Sequence, residues 1–286
     1  MRTLGLIANT SKARAPEVIQ RIVDKASELD LTLFGDKATA ALNDSLEGLD
    51  LEIMLDRADA VMALGGDGTL LRVVRELKSD DKPVIGVNIG GLGFLTSVAE
   101  EELDRALECL VTDDFTISRR SLLDALLERA DHKIASYTAL NDMVVTRNLS
   151  SRAVTLDVIV DGAPVTSYLC DGLIVATPAG STGHALSAGG PIVAPETPAF
   201  VICPICPHTL SSRPLVVPDG CEICIAGRED EEGLILAADG QTGQTLEQGD
   251  KVRVRRAGMD ARLIHLPGHS YFSLLRQKLH WSGSNL

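Results

Sequence analysis

The sequence predicts an α/β plus β-rich protein: an N-terminal doubly wound α/β domain, a larger β-sandwich-like second domain, and a C-terminal helix returning to the first. Three observations carry this. Up to about residue 115, short apolar runs alternate with segments of helical apolar spacing, the pattern of a parallel sheet wound with helices. Beyond Phe115, helical spacing becomes scarce and strand-like runs follow one another through tight turns. From Ser270 the spacing is helical again, and a lone helix of that length is marginal unless it packs on a larger body. The expected domains are 1–115 with 266–286, and 116–265.

In order, residues 3–9 read as a strand and Pro16–Leu29 as an amphipathic helix with Val18, Ile19, Ile22, Val23 and Ala26 inward; Pro16 suits a first helical turn. A strand at Leu31–Phe34, a helical piece to about Leu42 and another at Leu51–Ala58 follow. Next come a buried strand at 60–64, a helix at 69–78, a strand at Pro83–Asn88 and a helix from Glu100 to Leu110. In the second domain, Leu122–Arg129 and Lys133–Leu140 form one expected hairpin through Ala130-Asp131-His132. Val154–Val160 and Pro164–Leu169 form another through Asp161-Gly162. Further strands are expected at Leu173–Ala176, Pro214–Val217, Cys221–Ala226, Leu234–Ala238 and Lys251–Arg255.

Composition narrows the function. At 286 residues the chain can bury a sizeable core, and 25 glycines with 3% aromatics favour a compact α/β or β-rich protein over disorder. Forty acidic against 27 basic residues, net −13, argue against a nucleic-acid or anionic-membrane partner; the same charge serves solubility. An anionic small ligand would need local cations or a metal. The opening apolar run is too short for a signal peptide and no run approaches transmembrane length. The expected setting is therefore cytoplasmic, with the six cysteines reduced.

The chemistry concentrates in three glycine-rich stretches. Leu64-Gly65-Gly66-Asp67-Gly68-Thr69 sits on a strand-to-helix turn, where glycines admit a ligand to the backbone and a helix start suits phosphate. It is neither a Walker A loop nor a G-x-G-x-x-G fingerprint. Asp67 is out of place there, because a carboxylate repels phosphate unless it binds a cation or takes a proton. The turn can cradle phosphates while Asp67 receives a hydroxyl proton or helps hold Mg²⁺; alternatively, it only reverses the chain. Asn88-Ile89-Gly90-Gly91-Leu92-Gly93-Phe94-Leu95-Thr96 is either a second ligand-facing turn or a device for tight packing with Phe94 as core. Asp171 to Pro191 runs from a buried strand into a loop of small hydroxyl and glycine residues with few charges, suited to holding a flat ligand. Within it His184 is either a base or a structural group. Cys203-x-x-Cys206 and Cys221-x-x-Cys224 have the spacing of a zinc site, but 221–225 reads as a strand, which turns residues three apart to opposite faces. Free buried cysteines fit better, and no metal ligand is assigned.

Together these stretches resemble the NAD kinase family. The resemblance rests on GGDGT at 65–69, NIGGLGFLT at 88–96, LND at 140–142 and DGLIVATPAGSTGHALSAGGPI at 171–192, and continues through CPHTLSSRPLVV at 206–217, DGQ at 239–241 and YFSLLRQKLHW at 271–281. It implies transfer of a phosphoryl group from ATP, or another phosphate donor, to the 2′-hydroxyl of NAD's adenosine ribose, with Mg²⁺ or another divalent cation accompanying ATP. It implies that Asp67 accepts the hydroxyl proton and that Gly68, Arg72 and Phe94 border the dinucleotide. Asn141 and Asp142 stand at the family's Asn-Glu pair. Asp171 and Thr182, Gly183, His184, Ala185, Leu186 and Ser187 line the NAD pocket, with Arg152, Leu169 and Gln241 at further contacts. A homo-oligomer, dimer or tetramer, is implied too. Asp142, Ala179, Gly183 and His184 depart from the family's usual residues. The rivals are a lipid or polyol kinase with a related GGDG turn and a non-catalytic NAD-binding regulator.

Overall fold

The computed structural model describes residues 1–77, 81–91, 93–148, 152–228 and 233–281. Two units make up the chain, Met1–Ser118 with Arg262–Leu286, and Arg119–Ala261.

In the first unit the elements are β1 (Thr3–Ala8), α1 (Ala15–Glu28), β2 (Thr32–Asp36), α2 (Lys37–Ala40), β3 (Glu47–Leu49), α3 (Leu51–Arg57), β4 (Ala60–Gly65), α4 (Asp67–Leu77), β5 (Val84–Asn88), β6 (Val98–Ala99) and α5 (Leu103–Thr112). The strands pair in parallel in the order β3-β2-β1-β4-β5, with β6 beside β5. The strand order reverses between β1 and β4, so the loops leaving these strands open together at their carboxyl ends, where such sheets bind ligands. β4 and β5 are buried along their whole length, which explains a composition that is apolar apart from Asn88 at the end of β5. Val18, Ile19 and Ile22 of α1 pack with Ala106, Leu107 and Leu110 of α5 over one face of the sheet. Each fully buried Leu or Ile contributes roughly 1.5–3 kcal/mol.

In the second unit, apart from the first residues of β7 and the last of β18, which belong to the first, the elements are β7 (Thr116–Arg129), β8 (His132–Ala139), β9 (Asp142–Arg147), β10 (Val154–Val160), β11 (Ala163–Cys170), β12 (Gly172–Ala176), α6 (His184–Ser187), β13 (Ala199–Ile205), β14 (Leu215–Pro218), β15 (Ile223–Gly227), β16 (Leu234–Ala238), β17 (Thr242–Thr245) and β18 (Lys251–His265). An antiparallel sheet, β14-β13-β12-β9-β16-β17, faces a second layer in which β11-β10-β15-β18 is extended by β7 and β8. Their inner faces share one core, including Leu156, Leu173, Val175, Phe200, Ile223 and Val252. On the outer face of the six-stranded sheet, Val144, Ile174 and Ala176 are covered by Ala185 and Val193 of the long loop after β12. Thus β12 is buried on both faces and the loop is part of the fold. The closing helix α7 (Tyr271–Lys278) belongs to the first unit, as the sequence predicts, and buries Leu274 and Leu275.

Several sequence expectations need correction. α4 starts at Asp67 itself, and Lys78 lies outside the described residues, as does Leu92 of the second glycine turn. The helical piece toward Leu42 is four residues long, and Val23 is only partly buried. β3, β6, β9, β13 and β17 lie outside the strands the sequence predicts, and β18 runs ten residues beyond Arg255. His132 belongs to β8, so the first hairpin turns on Ala130 and Asp131, both at positive φ; the second turns on Asp161 and Gly162, again both positive. Cys221 precedes β15, while Cys203 and Cys224 are buried in different sheets and Cys206 is exposed.

Candidate active site

Asp67 follows β4 at the reversal point of the parallel sheet, as the first residue of α4, and is half-buried. The second glycine turn satisfies its charge. Phe94 N–H donates to Oδ2 at 2.7 Å, while Leu95 N–H, Thr96 N–H and the Thr96 hydroxyl donate to Oδ1 at 3.1, 3.0 and 3.2 Å. A Cβ on Gly93 would lie 1.8 Å from Oδ1, so only glycine lets this turn close on the carboxylate. A carboxylate offers about four lone-pair sites. Three donors converge on Oδ1 and one on Oδ2, which leaves Oδ2 with capacity for another hydrogen. The two glycine turns are therefore one structure. Gly68 is exposed beside Asp67, and the Arg72 guanidinium donates to Ala8 O at the end of β1 (3.2 Å). The Phe94 ring is partly exposed, unlike a core residue.

In the second unit Asn141 and Asp142 sit where β9 begins. Asp239, in the turn between β16 and β17, accepts from Leu140 N–H (3.1 Å), Asn141 N–H (2.7 Å) and Asp142 N–H (3.2 Å). From the other side, Thr177 N–H donates to Asn141 O (2.9 Å) and its hydroxyl to Leu140 O (2.6 Å). Asn141 Oδ1 is buried and accepts no hydrogen bond from the described residues. The Asp142 carboxyl is 5% exposed, and burial, reinforced by the Asp239 carboxylate, pushes its pKa up to about 7. Near neutrality Asp142 can thus present either a hydroxyl donor or a carboxylate.

Gly180 lies directly on this backbone: a Cβ there would be 2.1 Å from Asn141 O and 2.5 Å from its carbonyl carbon. Gly180→Ala is expected to displace the loop, destabilising the fold by about 1–3 kcal/mol and, if the loop holds the dinucleotide that the resemblance implies, to weaken NAD binding. Thermal unfolding and an NAD titration check it, and an unchanged melting temperature would remove the close approach as the reason for glycine.

The loop itself is closed by its own hydroxyls. Ser181 Oγ donates to Pro178 O (2.6 Å) and accepts from Val193 N–H (3.0 Å), and Thr182 Oγ1 donates to Ala179 O (3.1 Å). Thr177 and Ser181 are completely buried, so they staple the loop and do not face a ligand. Ala185 packs in the core beside Cys203, whose thiol lies within hydrogen-bond reach of Ala185 O and Ala188 O. Gly183, His184, Leu186 and Ser187 are partly or fully exposed. Because the His184 ring projects into solvent, His184→Tyr is expected to keep kcat/KM for NAD within about threefold; abolished activity would show that the imidazole has a specific task.

The remaining predicted residues separate. Gln241 follows the Asp239-Gly240 turn, with its N–H on Ala238 O (3.1 Å), near the Asn141 cluster. Asp171 stands at the opposite end of five-residue β12, about 17 Å from the loop at about 3.3 Å per residue. There Arg147 Nε pairs with Asp171 Oδ1 at 3.0 Å. Leu169 is exposed on β11 and Arg152 is exposed after β9. Sequence reasoning missed Thr96 as a partner of Asp67, and Asp239 as the cap of the 140–142 backbone. An Asp before Gly in a hairpin turn carries no sign of a second, distant task.

Comparison with known proteins supplies the identity. Residues 4–115 match the ATP-NAD kinase N-terminal domain and residues 140–266 the ATP-NAD kinase C-terminal domain. An NAD kinase of Syntrophotalea carbinolica is 39% identical over 282 residues, covering 98% of this chain and 99% of that protein. One from Moorella thermoacetica is 41% identical over 285 residues, covering 99% and 91%. Among solved structures, yeast NADH kinase complexed with NADH superposes with a TM-score of 0.90 at 25% identity, covering 100% of this chain and 89% of that one. An NAD kinase from Archaeoglobus fulgidus in complex with ATP gives 0.77 at 26% identity, covering 99% and 100%. On both domain matches and on these near-full-length relatives, the chain belongs to the ATP-NAD kinase family.

Proposed function

We propose that this NAD kinase transfers the γ-phosphoryl group of ATP to the 2′-hydroxyl of NAD's adenosine ribose, with Asp67 Oδ2 as the proton acceptor. The observation that carries the assignment is the asymmetric cradle of Asp67, whose Oδ1 holds three donors and whose Oδ2 holds one. The 2′-oxygen forms a bond to the γ-phosphorus, the bond to the β-bridging oxygen breaks, ADP leaves with that electron pair, and the hydroxyl proton passes to Oδ2. Positioning and charge screening supply most of the acceleration in such transfers.

The adenosine contacts are assigned to the second unit. Asn141 Oδ1, buried and accepting no hydrogen bond from the described residues, supports a ligand N–H or O–H there. The exposed residues of 183–187 add a surface for the dinucleotide. The divalent cation is assigned to the ATP phosphates, with Asp67 the carboxylate of the glycine turn that could help hold it. It would screen the triphosphate charge.

A homo-oligomer, dimer or tetramer, is part of the same proposal. Asp171, Leu169 and Arg152 lie at the far end of β12 from the loop, and a second copy gives them a dinucleotide to meet. The cytoplasm is the proposed setting, because both substrates are intracellular nucleotides; no helix among the described residues is long and apolar enough to cross a membrane.

The test is purified protein with Mg-ATP and NAD, reading NADP through an NADP-specific dehydrogenase. Steady NADP formation is expected. NAD binding without phosphoryl transfer, or transfer only to lipid or polyol acceptors in a parallel panel, would overturn the proposal.

A further inference from the structure

The hydrogen bonding behind Asp67 continues one layer deeper. Asn88, the last residue of β5, and Thr96 are 4% and 1% exposed. Asn88 Nδ2 uses both hydrogens, donating to Gly91 O at 2.7 Å and to Thr96 Oγ1 at 3.1 Å. Gly93 N–H also donates to Thr96 Oγ1, at 3.3 Å. Both lone pairs of the Thr96 hydroxyl are then engaged, so its single hydrogen has one direction left, toward Asp67 Oδ1 at 3.2 Å. A free hydroxyl rotor could accept from one neighbour and turn away from the carboxylate. Here the rotor is locked.

We propose that Asn88 and Thr96 are positioning residues for phosphoryl transfer: the Asn88 amide sets the Thr96 hydroxyl, which holds Asp67 Oδ1 and leaves Oδ2 as the oxygen presented to the substrate hydroxyl. This rests on Asp67 as the proton acceptor. The relay touches no substrate. It restrains rotation of the carboxylate about its own axis, and a proton acceptor must sit within hydrogen-bond reach of the proton it takes. Three backbone N–H groups hold Asp67 in place whatever residue 96 is, so the hydroxyl adds orientation to an anchor that already exists.

Steady-state kinetics on the full chain test the relay. Thr96→Val keeps the shape and the backbone N–H but removes the hydroxyl; it is expected to lower kcat about 10- to 100-fold with KM for NAD changed less than about threefold. Thr96→Ser restores the hydroxyl and is expected to return most of kcat. In an Asp67→Asn background, Thr96→Val is expected to cause no further loss, because it acts through a carboxylate no longer there. Should Thr96→Val not fold, Asn88→Ala provides the second route: it removes the amide donor without burying a charge, frees the Thr96 hydroxyl to turn away from Oδ1, and is expected to lower kcat in the same direction. Wild-type kcat in a folded Thr96→Val or Asn88→Ala protein overturns the relay while Asp67→Asn remains inactive. A rise in KM with kcat preserved overturns it too. Near-normal turnover by Asp67→Asn itself would instead defeat the underlying assignment.

Discussion

Asp67→Asn is expected to lower kcat for NADP formation by at least about 100-fold, leaving a folded protein that still binds NAD. The cradle explains each part of that outcome. An amide offers one acceptor oxygen and an NH₂ group that accepts nothing. Of its two orientations, the favourable one puts the amide oxygen at the Oδ1 position, where Leu95 N–H, Thr96 N–H and the Thr96 hydroxyl donate. The NH₂ then faces Phe94 N–H, donor against donor, where Oδ2 had accepted at 2.7 Å. One lost partner costs about 1–3 kcal/mol, so the melting temperature falls by several degrees and the fold survives. The position assigned to receive the ribose proton now carries hydrogens of its own. Since the adenosine contacts are assigned to the second unit, KM for NAD is expected to stay close to wild type. Turnover, KM and thermal unfolding measured on one preparation separate these effects. A variant with near-wild-type kcat would remove Asp67 as the acceptor.

The charge of Asp67 shows what a sequence can and cannot carry. Local pattern placed an out-of-place carboxylate on a strand-to-helix turn, correctly, because β4 is an unbroken apolar run and α4 has helical apolar spacing. What satisfies that charge is a set of donors 27 to 29 residues further on, and nothing in either stretch alone shows that they meet. The low charge of 171–192 was legible but has two causes. Exposed residues at 183–187 leave room for a ligand, whereas Thr177, Ser181 and Ala185 are small or hydroxylic because they are buried. Strand β13 was hidden by Pro204, which argues against an interior strand. In the fold β14 pairs only with Ala199–Ile202, so Pro204 lies beyond the reach of that neighbour and its missing N–H breaks no rung there.

The second large effect concerns Asp142 and changes sign with the usual intuition about carboxylates. Burial first, and the Asp239 carboxylate second, raise its pKa from 3.8 to about 7. Between those values the folded protein holds a proton that the unfolded chain has released, so folding stability falls as pH rises from about 4 to about 7 and is level above. Below pH 4 both states are protonated and the site contributes nothing. Asp142→Asn supplies a neutral amide in the same volume and removes this titration. The variant is therefore expected to match wild type near pH 4 and to exceed it at pH 8, by up to about 4 kcal/mol at about 1.4 kcal/mol per pH unit of displacement. Asp239 would gain as well, keeping its three backbone donors without a second carboxylate beside it. Denaturant unfolding of both proteins at pH 5 and pH 8 checks the claim through the difference between the curves, which cancels the other titrating groups. A difference that is the same at both pH values would mean that Asp142 is ionised in the fold across the whole range. If the gap widens with pH, the buried Asp142 carboxyl is carried at a cost in stability that comes first from its burial and second from the Asp239 carboxylate. Strongly raised carboxyl pKa values cluster at functional sites, and Asp142 directly follows Asn141, whose buried Oδ1 accepts no hydrogen bond from the described residues.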